Sequence, residues 1–165
     1  MHLPGNRRWN DSIMKIFFAI VAVVVSITVS GEIDARNFIT STEHDPVLIS
    51  QKSEIAIGTN TDRQMRQTYR ISTDQELNQR IKNIGQRLAV LSKRKTLKYT
   101  FTVLDDKLVN AFAAPGGYVY ITTGILKRLK NESEIAGVLG HEIGHIVHRH
   151  SLKAIQRSMI AQFGL

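Results

Sequence analysis

The sequence predicts an α+β domain, and three observations carry that expectation. An apolar stripe of helical period runs over residues 77–91. Two segments of period two follow it, at residues 99–104 and 118–122. A further helix then starts behind Asn131. Together with an earlier helical stretch, the order is helix, helix, strand, strand, helix. That order lacks the strand–helix–strand alternation of a parallel, doubly wound sheet. A small sheet, mixed or antiparallel, with helices packed on it is expected.

At the N-terminus, residues 16–29 are almost wholly apolar and are preceded by Arg7, Arg8 and Lys15. A basic flank before about 7–15 apolar residues is the pattern of a signal peptide, whereas a membrane span takes about 20. Small residues at Ser30, Gly31 and Ala35 offer points of cleavage, and Met14-Lys15 reads as the natural start of such a segment. Residues 1–35 are therefore read as a signal peptide or an N-terminal anchor, and the protein as exported, periplasmic or membrane-associated. Residues 36–52 show no sustained period, contain Asp45-Pro46 and read as a linker. Residues 53–165 are the expected folded domain.

Within that domain residues 53–70 read as a helix, interrupted by Gly58. Leu77, Ile81, Ile84, Leu88 and Leu91 recur at spacings of four and three, one face of a second helix. Thr73 and Glu76 in front of them fit a capping box. Tyr99-Thr100-Phe101-Thr102-Val103-Leu104 is rich in β-branched and aromatic residues and reads as a strand, broken by Asp105-Asp106-Lys107. Residues 110–114 form a short extended segment, and Pro115-Gly116-Gly117 is a turn signal. Tyr118-Val119-Tyr120-Ile121-Thr122 is a second strand, ended by Thr123-Gly124. Asn131 is a good N-cap, and Glu132 and Glu134 in the first turn suit the helix dipole.

Composition excludes some chemistry. With no cysteine, disulfides and thiolate metal sites are absent. The net charge is +8, and removing residues 1–35 takes away three basic and three acidic residues, so the excess belongs to the domain. The basic residues are scattered, apart from Lys93-Arg94-Lys95 and Lys127-Arg128-Leu129-Lys130, and neither cluster is interleaved with aromatics. They read as solvated surface, and no nucleic-acid motif accompanies them.

The chemistry lies in His141-Glu142-Ile143-Gly144-His145. Residues four apart on a helix share a face, so His141 and His145 can turn ring nitrogens toward one metal ion. Glu142, about 100° further round, can reach a water on that ion. Zinc lowers the pKa of such a water toward about 7, and Glu142 would take its proton as general base. This is the metalloprotease mechanism attached to H-E-x-x-H on a helix. Three fixed positions in five also arise by chance, as two surface histidines and a glutamate. Here the context favours function: Ile135, Val138, Leu139, Ile143, Ile146 and Val147 surround the motif, so its polar groups need partners. Gly137, Gly140 and Gly144 on the same helix read either as close approach of a strand or substrate, or as dense packing. His148 is poorly placed as a third ligand, about 10 Å along the axis from His141. His150 reads as a surface histidine or one that supports a ligand.

Beyond the motif, the sequence resembles the HtpX-like and BepA-like zinc metallopeptidases, whose relatives include CAAX prenyl endopeptidases and a mitochondrial inner-membrane protease. The resemblance covers roughly residues 53–151. It rests on Asn110-Ala111-Phe112-Ala113-Ala114-Pro115-Gly116-Gly117, on residues 132–140 leading into the motif, and on Arg149-His150-Ser151 after it. Residues 54–58 and 84–88 also fit. The resemblance implies a zincin-like catalytic domain with Zn2+ as cofactor, His141 and His145 as metal ligands and Glu142 as general base. It also implies that Gly117, Tyr118, Val119 and Tyr120 line a cleft, where a strand edge would pair with an extended peptide; an ordinary core strand is the alternative. Substrates would be envelope or misfolded proteins, with association to the envelope membrane. The family's third ligand is a downstream glutamate, and this sequence has no Asp or Glu after Glu142. Leu152, Ile155, Met159, Ile160 and Phe163 form an amphipathic stretch with nothing following to cover it. The C-terminal part is therefore read as incomplete, from a truncated copy or fragment. The alternative function is a remnant or chaperone-like module that binds peptides without cleaving them.

Overall fold

The computed structural model describes residues 47–163. The expected leader or anchor lies outside them, as does most of the expected linker. Ser50 starts α1, Gln51–Thr68: its hydroxyl accepts the Ser53 N–H at 3.1 Å, satisfying one of the donors a helix start leaves open. α1 buries Glu54, Gly58 and Met65 along one side and stops where Tyr69 becomes extended.

α2, Gln75–Ala89, is capped one residue later than the sequence suggests. Asp74, not Thr73, accepts the Leu77 N–H, at 3.0 Å. Ile81 and Ile84 are buried, and Leu77 and Leu88 pack against the core. Leu91 leaves the predicted stripe because the helix ends before it, and it is 82% exposed.

Three strands follow: β1, Thr100–Leu104; β2, Ala111–Ala114; and β3, Tyr118–Thr122. They form a mixed sheet in the order β1-β3-β2, with β3 parallel to β1 and antiparallel to β2. Pro115–Gly117 makes a single 3-10 turn between β2 and β3. Gly116 and Gly117 there have φ of 77° and 100°, backbone that glycine adopts without a side-chain clash. The outer side of β1 is partly covered, since Ile71 bridges Leu104 and the Ser72 N–H donates to the Val103 carbonyl at 2.9 Å.

Side chains alternate across β3. Val119 and Ile121 join the core with residues of α2 and of α4, Glu132–Val147. Tyr120 is fully buried, and its hydroxyl donates to Asp62 on α1 at 2.8 Å. Thr123-Gly124, read as a stop, instead begins the one-turn helix α3, Thr123–Leu126, whose cap is the Thr122 hydroxyl. The last helix, α5, spans His150–Phe163. Among the described residues the fold is thus α+β, with five helices and one mixed sheet. No helix among them is long and apolar enough to cross a membrane.

Candidate metal centre

Asn131 sets the start of α4 by accepting the Glu134 N–H at 3.0 Å, while the Glu134 carboxylate accepts the Lys130 N–H at 2.8 Å. From there Ile135, Leu139, Ile143 and Ile146 recur at helical spacing and are all buried. Each such burial contributes about 1.5–3 kcal/mol relative to exposure, so the helix has one firm rotational setting. That setting leaves His141 exposed and His145 half-buried on a common side, with Glu142 between them and only 6% exposed.

The Nε2 atoms of His141 and His145 stand 3.1 Å apart, with the rings at 83° to one another. Ligand atoms of His141, Glu142 and His145 all lie within 4.8 Å of each other. Two nitrogens each about 2.0–2.1 Å from a tetrahedral zinc would be about 3.3 Å apart, so the histidine pair has the right spacing. Burial alone pushes the Glu142 carboxyl up to about 7. Among the described residues no hydrogen bond or ion pair reaches that carboxylate. A neighbouring cation would favour its charged form and relieve the cost of its burial. Burial, then the charges of His150, His141 and His148, push His145 down to about 4. The ring is therefore neutral at pH 7, the form that binds metal. Donor set and electrostatics together fit a divalent transition metal.

The other expected site residues are placed differently. Gly117, Tyr118, Val119 and Tyr120 sit at and in β3, the central strand, so β1 and β2 already use its hydrogen-bonding edges. No peptide can add to it as to a sheet edge. The sequence period could not show this, because it reports alternation along a strand and not its neighbours. The strand with a side facing away from β3, packed beside α4, is β2. Its Ala113 carbonyl accepts the Ser151 hydroxyl at 3.3 Å. No described element approaches the α4 glycines closely either: a Cβ on Gly137, Gly140 or Gly144 would meet no atom of another described element within 4 Å. His148 is exposed and stacks on His150, with centroids 5.5 Å apart.

One feature escaped the sequence. Glu54, 1% exposed, accepts two hydrogen bonds from Arg94, at 2.8 and 2.7 Å, and faces Arg149 at 3.3 Å. Its carboxylate also accepts the Gly116 N–H at 3.3 Å, while Arg94 donates to the Ile146 carbonyl at 3.1 Å. This cluster joins the start of α1, the glycine turn and the end of α4, and no local pattern could have announced it. His150, read from the sequence as a surface histidine or one that supports a ligand, has its Nδ1 2.7 Å from Nδ1 of His145. Its nearness to the motif in sequence was the available signal.

Comparison with known proteins gives the family. The family model for peptidase family M48 matches residues 75–165. The putative beta-barrel assembly-enhancing protease of Vibrio cholerae is 34% identical over 103 residues, 62% of this chain and 21% of that protein. The mitochondrial metalloendopeptidase OMA1 of Arabidopsis thaliana is 31% identical over 101 residues, 61% of this chain and 21% of its own. The metalloprotease YcaL of Escherichia coli is 37% identical over 79 residues, 45% of this chain and 31% of that protein. The chain spans about a fifth of the length of the first two relatives.

Proposed function

The chain belongs to peptidase family M48, and from that premise we propose that it supplies the metal-binding and catalytic helix of a zinc-dependent endopeptidase. The observation that carries this is the histidine pair at 3.1 Å with a buried, unpartnered Glu142 beside it. His141 and His145 would hold the ion, each through Nε2. When bound, zinc supplies Lewis-acid polarisation of a peptide carbonyl and an acidified water. Glu142 takes the proton from the attacking water onto a carboxylate oxygen and passes it to the leaving amine. Its apolar surroundings keep its proton affinity near neutrality, where a group can both accept and release a proton. The substrate lies extended along the outer side of β2, where main-chain groups can pair with it. Protein substrates of the cell envelope, unfolded ones included, and an exported or membrane-associated location complete the proposal; the apolar run at residues 16–29 supports the location.

A second reading rests on one observation. A catalytic zinc normally has three protein ligands, and among the described residues the metal-capable group offers two histidines and the catalytic glutamate. Glu54 is no candidate, since Arg94 and Arg149 hold it. A peptide-binding module that does not cleave would need no third ligand. The experiment is casein cleavage by the full-length protein, before and after chelation and with zinc restored. Cleavage lost on chelation and recovered with zinc supports the peptidase. Peptide binding that persists through chelation, with no cleavage at any stage, supports the binding module.

A further inference from the structure

We propose that His150 is a positioning residue that fixes the tautomer and orientation of the metal ligand His145, an inference that rests on the metallopeptidase reading above. His145 is engaged at both ring nitrogens: Nε2 faces Nε2 of His141 at 3.1 Å, and Nδ1 faces Nδ1 of His150 at 2.7 Å. For Nε2 to offer a lone pair to a metal, the ring proton must sit on Nδ1. His150 Nδ1 is then its acceptor, and the His150 proton moves to Nε2. A ligating histidine commonly donates its other N–H to such a partner, which sets ring direction and raises ligand basicity.

The backbone is arranged to make this contact. In an unbroken helix, residues five apart point about 140° away from each other, so His150 could not reach His145. The helix is broken at Arg149, which has φ of 56°, in the left-handed region. A non-glycine residue there costs on the order of 1–2 kcal/mol. The Arg149 side chain offsets that cost by facing Glu54 at 3.3 Å and donating to the Ile49 carbonyl. The corner turns the chain back so that His150, the first residue of α5, meets His145, with rings 4.9 Å apart and steeply inclined at 71°. His150 is not a third ligand to the same ion in this arrangement, because it addresses the nitrogen of His145 that points away from His141.

The test is zinc affinity of the full-length protein, by competition with a chromogenic chelator, for wild type, His150→Phe, His150→Gln and His148→Phe. Long-range proton–nitrogen NMR of the metal-free proteins reads the His145 tautomer. Phenylalanine keeps a ring but accepts no proton, whereas a glutamine carbonyl can. His150→Phe should weaken zinc binding roughly 10–100-fold and lose the Nδ1–H form of His145. His150→Gln should restore most of both, and His148→Phe should match wild type. Unchanged affinity in His150→Phe, equal losses in Phe and Gln, or two zinc ions per chain would overturn the proposal. If His141→Ala binds zinc as wild type does, the metal-centre reading fails and this inference with it. If His141→Ala loses zinc and His150→Phe does not, the positioning role fails alone.

Discussion

Glu54 keeps a charge in an almost water-free place. Burial pushes its carboxyl up, but the Arg94 hydrogen bonds and charge, the Gly116 N–H and the Arg149 charge outweigh that and hold it below the usual carboxylate value. A folded-state value lower than the unfolded one, about 4.3, means that the folded protein gives up this proton more readily. The resulting stability is fully present above the unfolded value and is lost as pH falls through the folded one. Glu54→Gln should therefore cost about 3 kcal/mol near pH 7, because Arg94 and Arg149 would be left facing a neutral amide. It should also flatten the acid limb of the stability curve below about pH 4. Urea unfolding from pH 3 to 7 checks both, and parallel curves for the two proteins would contradict the assignment. Legibility at this scale divides by distance along the chain. His141, Glu142 and His145 could be read because helical spacing alone puts them together. Glu54 and Arg149 are 95 positions apart in the sequence, and only the fold makes them neighbours.

Among the elements, α1, α2, α4 and the strands could be read from period and caps, with boundaries that moved by a residue or two, whereas the one-turn helix α3 was not read. The order of strands could not, because a crossover places β3 between two neighbours that the sequence does not name. Glycines show the same limit. Three on α4 read either as sites of close approach or as dense packing, yet among the described residues the close approaches are elsewhere. A Cβ on Gly58 would stand 2.0 Å from the Pro115 carbonyl oxygen, where α1 rests on the glycine turn. Gly58→Ala should destabilise the fold by about 1–3 kcal/mol, since backbone must move to admit a methyl group. Gly137→Ala should do the opposite, by up to about 1 kcal/mol, because that position is exposed and open and alanine is the better helix former. Thermal melts of the two variants read the contrast, and a shift in the same direction for both would show that the packing is misassigned.

Over the whole molecule, residues 75–165 carry the family match while α1 braces that part from outside it: Glu54 reaches the glycine turn, Arg94 and Arg149. The fold class and the helix that carries His141, Glu142 and His145 were legible because both depend on local pattern. The bracing, the central place of β3 and the corner at Arg149 were not, because each depends on contacts between distant segments. The proposed activity rests on Glu142 acting as base between two histidines that act as ligands. The direct measurement is zinc content and casein cleavage of the full-length protein with Glu142→Gln, His141→Ala and His145→Ala side by side. Glutamine keeps the size of glutamate but cannot take a proton. Glu142→Gln should therefore retain zinc and lose cleavage by about 10²–10⁴-fold, while each alanine variant should lose zinc and cleavage together. Near-normal cleavage by Glu142→Gln, or full zinc content in either alanine variant, would contradict these roles.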